Sequence, residues 1–391
     1  MHPLNAIRNS LWAGSLLFFN AFADQSTAPP EYVITLSPAI ETLMTDTLTS
    51  GAVVVVRSPQ GNWTQAFGKR EKGGDIALQA DDHFRVGSVT KTWTGTVILQ
   101  LVDEGRFKLS DPISAYLTGV PNGDNITIEH LLSMRSGLFN YSTDQAFNQR
   151  LDDDPTQTFS IDALLQIAFK HGPYFTPGTD YRYSNTNTLL LGQLIEKITA
   201  ISVAEAFQQR LFTPLGLSKT FFPPLDNTAL PAPYARGYQF GTNVETIDTS
   251  VLSPAKQDAA RAGSLQPNDT TDWTTSWGWT AGMGIASASE LAEFAKKMVE
   301  GTYLSPSTQQ QRLDSCTPTS TSPGAASYCL GLAKFGSYYG HTGEVPGYNT
   351  FMGHDPDTHT TIVVWTSQSA VPDGRAPAIE IAKMIIDHLH N

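Results

Sequence analysis

Residues 84–91, with the sequence Phe-Arg-Val-Gly-Ser-Val-Thr-Lys, join a short segment typical of a strand to a long helical pattern. Ser88 and Lys91 stand three residues apart where the helix is predicted to begin, and residues at this spacing share one face of a helix. A serine hydroxyl is a weak nucleophile until a neighbouring group takes its proton. Lys91 can take that proton in a partly dry pocket, because burial lowers the pKa of a lysine.

A second Ser-x-x-Lys match lies at residues 253–256, with the sequence Ser-Pro-Ala-Lys. No strand pattern precedes it, and its Pro-rich, polar surroundings predict a loop or linker. We interpret this match as chance, because a four-residue motif alone has low specificity. The interpretation of Ser88 as a nucleophile therefore depends on partner residues elsewhere in the chain.

Length and composition limit the possible classes of protein. The chain has 391 residues, of which 40% are hydrophobic and 16% charged, enough for a large core in one domain or in two closely packed ones. The net charge is -12 at pH 7, and no cluster of Lys and Arg stands out. We therefore expect no nucleic-acid partner and no docking on anionic membranes.

The first 23 residues have the pattern of an export signal. A modest basic region is followed by an apolar run at 11–19 and by the small-x-small sequence Ala-Phe-Ala at 21–23. We predict cleavage after Ala23 and a secreted protein, extracellular or periplasmic. The alternative is a retained N-terminus that anchors the chain to a membrane. No other stretch is long enough to cross a bilayer, so we expect no integral membrane segment after cleavage.

Cys316 and Cys329 are the two cysteines of the chain. In an exported protein, a single pair close in sequence and flanked by Ser, Thr, Pro and Gly predicts a disulfide. The alternative is two independent buried thiols. No His-x-His or Cys-x-x-Cys spacing accompanies the pair, so the sequence predicts no metal site.

Strand and helix patterns are unevenly distributed along the chain. Strands are predicted over 52–56, 62–67, 282–286, 326–334, 348–353 and 360–366. Helices are predicted over 37–49, from Ser88 onward, and over 126–134, 161–169, 188–198 and 377–390.

Strands and their flanking helices thus come from both ends of the sequence. The predicted fold class is α+β, with an antiparallel sheet flanked by helices and interrupted by an inserted, mostly helical domain. We assign residues 24–106 and 271–391 to a discontinuous sheet domain and residues 107–270 to the helical domain. The cleft between the two domains is the expected place for a functional site.

The helical block contains the tripeptide Tyr-Ser-Asn at residues 183–185. In a short extended loop, Tyr183 and Asn185 would point to the same side. A cationic Lys91 nearby would ease loss of the Tyr183 proton, so that Tyr183 could act as general base for Ser88 or protonate a leaving group. Asn185 would hold Lys91 and a substrate carbonyl. The alternative is a structural tyrosine and an asparagine in a turn.

Near the C-terminal strands stands the sequence Gly-His-Thr-Gly at 340–343. On a strand that lines a cleft, His341 and Thr342 could donate hydrogen bonds to a bound carbonyl or carboxylate, and Gly343 would let a substrate approach the backbone. The backbone N–H groups of Ser88 and Glu344 could then form an oxyanion hole. Alone, the motif is also typical of a turn.

The three motifs, taken together and in this order, resemble the active-site set of the serine β-lactamase and D,D-peptidase superfamily, of peptidase S12 type. The tyrosine version is similar to class C β-lactamases, D-alanyl-D-alanine carboxypeptidases and related esterases and D-aminopeptidases. A His before Thr-Gly is most similar to a streptomycete-type D,D-carboxypeptidase. Segments 86–91, 99–105, 134–138 and 183–187 also resemble the family, and the likeness covers residues 35–390.

This resemblance implies a mechanism. Ser88 attacks a carbonyl and forms an acyl-enzyme, Lys91 and Tyr183 share the proton transfers as a coupled pair, and Asn185 orients the substrate. Residues 341–344 bind the substrate beside the nucleophile. Neither a metal nor an organic cofactor is needed.

The sequence departs from the closest carboxypeptidases where those bind a terminal carboxylate. Their arginine shortly before the His-Thr-Gly strand is matched by Ala333, next to Lys334, and the acid Glu344 stands where a hydroxyl residue is usual. A carboxylate there would repel an anionic substrate end and favour a cationic one, unless Lys334 compensates or His341 becomes charged at mildly acidic pH. Alternatively, Glu344 points to solvent and contributes only its N–H.

The leading prediction is a secreted serine hydrolase that cleaves amide or ester bonds, most similar to a D-alanyl-D-alanine carboxypeptidase. An esterase, D-aminopeptidase or acyltransferase on the same scaffold is the nearest alternative, and an inactive penicillin-binding protein is a remote one. We expect a monomer that acts on a small-molecule or peptide substrate, with Trp277, Trp279 and Phe147 as walls of the cleft.

Overall fold

The computed structural model describes residues 29–322 and 324–390, so the predicted export signal over 1–23 lies outside the described residues. The strands of the described part are β1 Gly51–Arg57, β2 Trp63–Gly68, β3 Phe84–Arg85, β4 Tyr238–Gln239, β5 Asn268–Asp269, β6 Ile285–Ala286, β7 Thr317–Pro318, β8 Ser327–Tyr328, β9 Ala333–Phe335, β10 Tyr338–Val345, β11 Tyr348–Asp355 and β12 Thr360–Thr366. Its helices are α1 Glu31–Asp46, α2 Thr90–Asp103, α3 Ile128–Leu132, α4 Gln145–Asp153, α5 Ile161–Phe169, α6 Asn185–Thr199, α7 Val203–Phe207, α8 Thr213–Leu215, α9 Asn243–Thr246, α10 Pro254–Arg261, α11 Ala288–Val299, α12 Pro306–Asp314 and α13 Pro377–His390.

An antiparallel sheet combines the two ends of the chain. Its strand order is β2-β1-β12-β11-β10-β9-β8-β7, and every neighbouring pair is antiparallel. The register sets Val54 of β1 opposite Val364 of β12, and Thr342 of β10 opposite Phe351 of β11. The α+β fold class with a helical insertion is therefore confirmed, and the domain boundaries given above stay a prediction.

Strand β1 is apolar at successive positions because helices cover both faces of the sheet. Val54 belongs to one buried cluster with Ile40 of α1 and Ile381 of α13. Val53 and Val55, which point to the opposite face, belong to the larger core that the sheet shares with the helical block. The alternation of β1 thus places the sheet between two helical layers.

Helix α2 lies inside this larger core and carries four buried threonines among its apolar residues. Their hydroxyls donate to backbone carbonyls: Thr92 to Val89 at 2.7 Å, and Thr94 to Thr280 at 2.9 Å. Because the hydroxyls find partners, burial of these polar groups costs little. The prediction that α2 begins at Ser88 is wrong by two residues, since Gly87–Val89 form a 3₁₀ turn and α2 begins at Thr90.

The loop predicted for the second Ser-x-x-Lys match is also wrong. Pro254–Arg261 form helix α10, with Ser253 as its N-cap. A proline in the first turn removes no helical hydrogen bond, which is why the Pro-containing sequence can begin a helix. The amine of Lys256 binds Glu245 Oε1 at 2.6 Å on the surface, so this match supplies no serine–lysine pair.

Two predicted strands are shorter than their apolar runs. Only Ile285–Ala286 of the run 282–286 form a strand, which pairs with β3. The run 326–334 divides into β8 and β9, joined by a turn in which Cys329 N donates to Leu332 O at 2.8 Å. The apolar residues of this turn are buried in the core, so their pattern reflects burial and not a continuous strand.

Cys316 and Cys329 form the predicted disulfide, which joins the end of α12 to the β8–β9 hairpin. The buried Arg312 of α12 supports the same hairpin, because its guanidinium donates to Leu330 O at 3.1 Å and to Gly331 O at 3.4 Å. No helix in the described ranges is long and apolar enough to cross a bilayer.

We expect the double variant Cys316→Ser/Cys329→Ser to lose roughly 3 kcal/mol of unfolding free energy, the loop-closure entropy for a disulfide spanning about this length. The two cysteines are 13 residues apart in sequence. Urea unfolding followed by circular dichroism measures the loss. The wild type with reductant should match the double variant, and an unchanged urea midpoint would contradict the prediction.

Candidate active site

Two glycines bring the turn before α2 into backbone contact with strand β10. Gly87 has φ +57°, and a Cβ on it would lie 2.6 Å from Glu344 N. A Cβ on Gly343 would lie 2.0 Å from Val86 O and 3.4 Å from Ser88 N. Only glycine permits this approach, which places the backbone nitrogens of Ser88 and Glu344 beside the same cleft.

Lys91 reaches Ser88 from the first turn of α2. Its Nζ donates to Ser88 Oγ at 3.0 Å and to Ala281 O at 2.7 Å. The side chain is buried, and the described residues provide no carboxylate within ion-pair distance of it. Burial without a counter-ion holds the pKa of Lys91 well below its ordinary value. A neutral amine beside a serine hydroxyl is suited to act as a base.

Tyr183 lies against Lys91 and Ser88. The Lys91 Nζ is 4.8 Å from the centroid of the Tyr183 ring, and Tyr183 lines the same cleft as Ser88. Burial raises the pKa of Tyr183 above its ordinary value, an effect that the nearby Ser88 hydroxyl only partly offsets. The expectation of an easily deprotonated phenol is therefore wrong. The arrangement fits a neutral phenol that donates a proton.

Asn185 stands at the start of α6, held by two neighbours in the loop near residue 140. Its N–H donates to Asn140 Oδ1 at 2.9 Å, and its Nδ2 donates to Ser142 Oγ at 2.9 Å. The predicted contact with Lys91 is not formed, because that amine binds Ser88 and Ala281 instead. Asn185 Oδ1 is buried without a partner among the described residues and lines the cleft. It is an acceptor open to a substrate N–H.

The side chains of residues 341–343 are not part of the lining of the cleft. His341 is buried, its Nδ1 is 2.6 Å from Thr342 O, and its Nε2 is 3.1 Å from Tyr328 Oη. Burial lowers the pKa of His341 to about 3. A charged His341 at mildly acidic pH, considered above, is therefore not supported, and the imidazole contacts Thr342 and Tyr328.

Elements from distant parts of the sequence enclose a cleft of about 330 Å³ in front of Ser88. Trp277 and Phe147 form part of its wall, as expected. Trp279 does not line it, since its ring packs against Gly192 of α6 in the core. The polar residues of the lining are Ser88, Asn140, Ser142, Asn148, Tyr183, Asn185, Gln239, Asn243, Thr246, Ser250, Glu344 and Ser369.

Glu344 is the one charged side chain among the described residues that line this cleft. The buried Asn349 donates from Nδ2 to Glu344 Oε2 at 3.3 Å. Glu344 stays open to solvent through the mouth of the cleft, while the surrounding protein raises the pKa of its carboxyl group. The carboxylate of Glu344 therefore faces the cleft. No cationic side chain of the described residues forms an ion pair with it.

Lys334 does not compensate for Glu344. Its Nζ donates to Tyr339 Oη at 2.9 Å and lies 4.6 Å from the centroid of that ring. Ala333, at the position of the expected arginine, packs with Met134 and Tyr328 behind the cleft. Neither residue lines the cleft, so the described lining contains one carboxylate and no cationic side chain.

The sequence motifs did not indicate several residues that form the site. Asn140 and Ser142 hold Asn185, and the hydroxyl of Tyr141 donates to the carbonyl of Trp277. These are ordinary polar residues of loops, and no local pattern distinguishes them from surface residues. In the described ranges, no group of three or more His, Cys, Asp or Glu side chains is arranged to hold a metal ion.

Comparison with known families matches residues 36–383 to the family described as Beta-lactamase. The chain belongs to the beta-lactamase family. It is therefore a serine hydrolase of that family.

Individual members of the family resemble the chain to different extents. Penicillin-binding protein 4 of Amycolatopsis lactamdurans is 33% identical over 164 residues, which are 41% of this chain and 41% of that protein. A D-stereospecific amidohydrolase from Streptomyces sp. has a structure with a TM-score of 0.74 and 28% identity, over 88% of this chain and 97% of that one. The D-amino acid amidase from Ochrobactrum anthropi SV3, with a TM-score of 0.75 and 21% identity over 91% and 99% of the two chains, shares the fold.

We expect kcat/KM for an uncharged ester such as p-nitrophenyl acetate to fall as the pH drops through the lowered pKa of Lys91. Protonation of the amine removes the base, so the active form is the deprotonated one and the rate is higher on the alkaline side. The acid limb should lie well below pH 10.5, the ordinary lysine value.

A pH–rate profile of the wild type measures this limb. Lys91→Arg should lose at least about 100-fold at every pH, because a guanidinium stays protonated. A rate that rises toward acid pH in the wild type would contradict the assignment of Lys91 as the base.

Proposed function

We propose that the chain is a serine amidase or aminopeptidase acting through an acyl-enzyme on Ser88, with substrates that carry an ammonium group close to the scissile carbonyl. The observation that carries this proposal is the charge of the cleft. Glu344 is the one charged side chain in its described lining, and Lys334, which could have compensated for it, is bound to Tyr339. Opposite charges attract most strongly where water is partly excluded.

The first chemical step is transfer of the Ser88 proton to Lys91. As the Oγ–H bond breaks, Oγ bonds to the carbonyl carbon and the carbonyl oxygen gains the negative charge. The neutral amine of Lys91 becomes an ammonium that donates to Ala281 O, a contact present in the resting site at 2.7 Å. General-base assistance of this kind contributes roughly 10²–10⁴-fold to a rate.

The oxyanion needs donors at the position where its charge develops. The backbone N–H groups of Ser88 and Glu344 are the candidates, since the contact between Gly87 and Gly343 brings their strands together. Asn185 Oδ1, an acceptor without a partner, would bind an N–H of the substrate. These groups would orient an amide with its carbonyl carbon toward Ser88.

Collapse of the tetrahedral intermediate requires a proton for the leaving nitrogen. Tyr183 is placed to donate it, because its phenol is neutral and lies beside Ser88 in the cleft. The proton held by Lys91 then restores the phenol as the amine departs. Water next attacks the ester carbonyl of the acyl-enzyme, the coupled pair accepts one of its protons, and Ser88 is regenerated.

The cleft fits a carboxypeptidase less well than an amidase. A terminal carboxylate would meet Glu344 and no cation of the described lining, a repulsive arrangement. The similarity to a D-stereospecific amidohydrolase over most of both chains supports an amide substrate with a D-configured residue. The apolar wall of Phe147, Leu151 and Trp277 would accept its side chain.

We also propose that the protein is exported and works as a monomer. The disulfide between Cys316 and Cys329 supports an oxidising compartment, since such bonds are rare in reducing cytosol. The export-signal pattern of residues 1–23 supports the same location. Mass spectrometry of the secreted chain would identify its N-terminus, and sedimentation would give its oligomeric state.

We expect a fluorophosphonate to add once to the wild type, on Ser88, and not to Ser88→Ala. Intact-mass measurement followed by peptide mapping identifies the modified residue. Ser88→Ala should keep the wild-type circular dichroism spectrum and lose all measurable turnover, because no other group can form the acyl-enzyme. An unmodified wild type would support an inactive binding protein instead.

We expect Glu344→Gln to remove the preference for substrates with an ammonium group. The wild type should cleave D-phenylalanine p-nitroanilide about tenfold faster, in kcat/KM, than 3-phenylpropanoyl p-nitroanilide, which lacks only the amine. In Glu344→Gln the ratio should fall to about one, as expected for loss of a charge-assisted hydrogen bond.

Asp226→Asn is the matched control, because it removes the same charge from an exposed residue outside the cleft. A ratio that is unchanged in Glu344→Gln would show that only the backbone of residue 344 matters. Faster cleavage of a D-alanyl-D-alanine peptide than of either anilide would favour the carboxypeptidase, and turnover of esters alone would favour the esterase.

A further inference from the structure

Tyr328 lies directly behind the reacting groups, and no sequence motif includes it. It is the last residue of β8, is buried, and immediately precedes Cys329 of the disulfide. Its ring contacts the rings of Tyr183 and His341. The chemical steps described above assign no role to this side chain.

The hydrogen bonds of His341 determine which of its nitrogens carries the proton. Its Nδ1 lies 2.6 Å from Thr342 O, and a carbonyl oxygen can only accept, so Nδ1 is the donor. Because His341 is neutral, its Nε2 keeps a lone pair. Tyr328 Oη, 3.1 Å from Nε2, therefore donates its hydrogen to that lone pair. The Tyr328 hydroxyl thus selects the Nδ1–H form of His341.

The same two side chains hold the ring of Tyr183 from one side. The Tyr183 ring is 6.1 Å from Tyr328, edge to face, and 6.1 Å from His341. Lys91 Nζ is 4.8 Å from the centre of the ring, so Tyr183 has limited freedom to turn. This packing keeps the Tyr183 phenol beside Ser88 in the cleft.

Tyr328 is itself firmly held. The next residue, Cys329, is bonded to Cys316, and its N–H donates to Leu332 O at 2.8 Å. The guanidinium of Arg312 binds the two carbonyls that follow in the turn, at residues 330 and 331. The hairpin therefore fixes the position of the Tyr328 ring.

We propose that Tyr328 is a positioning residue, whose hydroxyl fixes the neutral Nδ1–H form of His341 and whose ring, together with His341, aims the Tyr183 phenol at Ser88. The proposal rests on the serine-hydrolase function proposed above. Tyr328 does not touch the reacting atoms and acts through His341 and Tyr183.

The charges around His341 make the neutral form important. Lys91 faces it from α2, Tyr183 from the loop before α6, and Tyr328 from β8. Arg312 and Tyr181 act on the far side of Tyr328. A protonated His341 would place a positive charge beside the ammonium that Lys91 becomes when it takes the Ser88 proton, and would make that transfer less favourable. Without the Tyr328 hydrogen, Nε2 would be free to take up a proton as the pH falls.

The test is Tyr328→Phe, which keeps the ring and removes the hydroxyl. We expect kcat/KM for p-nitrophenyl acetate to fall about tenfold at pH 8, mainly through kcat, the size expected for one lost hydrogen bond. We also expect the His341 imidazole of Tyr328→Phe, followed by its ¹⁵N shifts, to take up a proton at higher pH than in the wild type, since Nε2 loses its hydrogen-bond donor.

Tyr181→Phe is the matched control, because the Tyr181 ring packs on Tyr328 at 6.0 Å while the bond to His341 belongs to Tyr328. It should leave the His341 titration in place. An unchanged rate and an unchanged His341 titration in Tyr328→Phe, or the same changes in Tyr181→Phe, would overturn the proposal.

A second measurement reads the protonated nitrogen in the wild type itself. Long-range ¹H–¹⁵N spectra of the wild type, with the His341 signals assigned by comparison with His341→Gln, report the protonated nitrogen directly. We expect the Nδ1–H form at pH 5, whereas the Nε2–H form or a doubly protonated ring would overturn the proposal. This result is independent of fluorophosphonate labelling on Ser88, so failure of the proposed function and failure of this inference are separately visible.

Discussion

The site depends on the burial of one amine without a counter-ion. Lys91 is held by the carbonyl of Ala281 and the hydroxyl of Ser88, and the described residues place no carboxylate beside it. An isolated buried charge is costly, so the protein favours the neutral amine. Two neighbouring side chains are also uncharged: Tyr183 keeps its proton and His341 stays neutral. Neither therefore places a charge next to Lys91.

A carboxylate at the mouth of the cleft contrasts with this neutral interior. Glu344 is one residue beyond Gly343, so its N–H is near Ser88 while its side chain faces the substrate space. One residue can therefore combine oxyanion stabilisation through the backbone with charge selection through the side chain. That combination is the reason to favour an amine-bearing substrate over one that ends in a carboxylate.

Much of the fold could be predicted, because the spacing of apolar residues in a long segment indicates which of its faces is buried. The continuous apolar run of β1, the helical patterns of α5 and α13, and the disulfide agree with the structure. Predictions failed where local signals compete. The run 326–334 is apolar because it contains a buried turn between two short strands. Pro254 begins a helix, although its Pro-rich, polar surroundings predict a loop.

The sequence by itself determined the family, the identities of Ser88, Lys91, Tyr183 and Asn185, and the presence of an acid after Gly343, since these follow from residue type and spacing. Only the tertiary structure decided the protonation states of those groups and the residues that they contact. It turned Asn185 away from Lys91 and bound Lys334 to Tyr339. Protonation depends on burial and on neighbours hundreds of residues away along the chain, and neither quantity is written in a local motif.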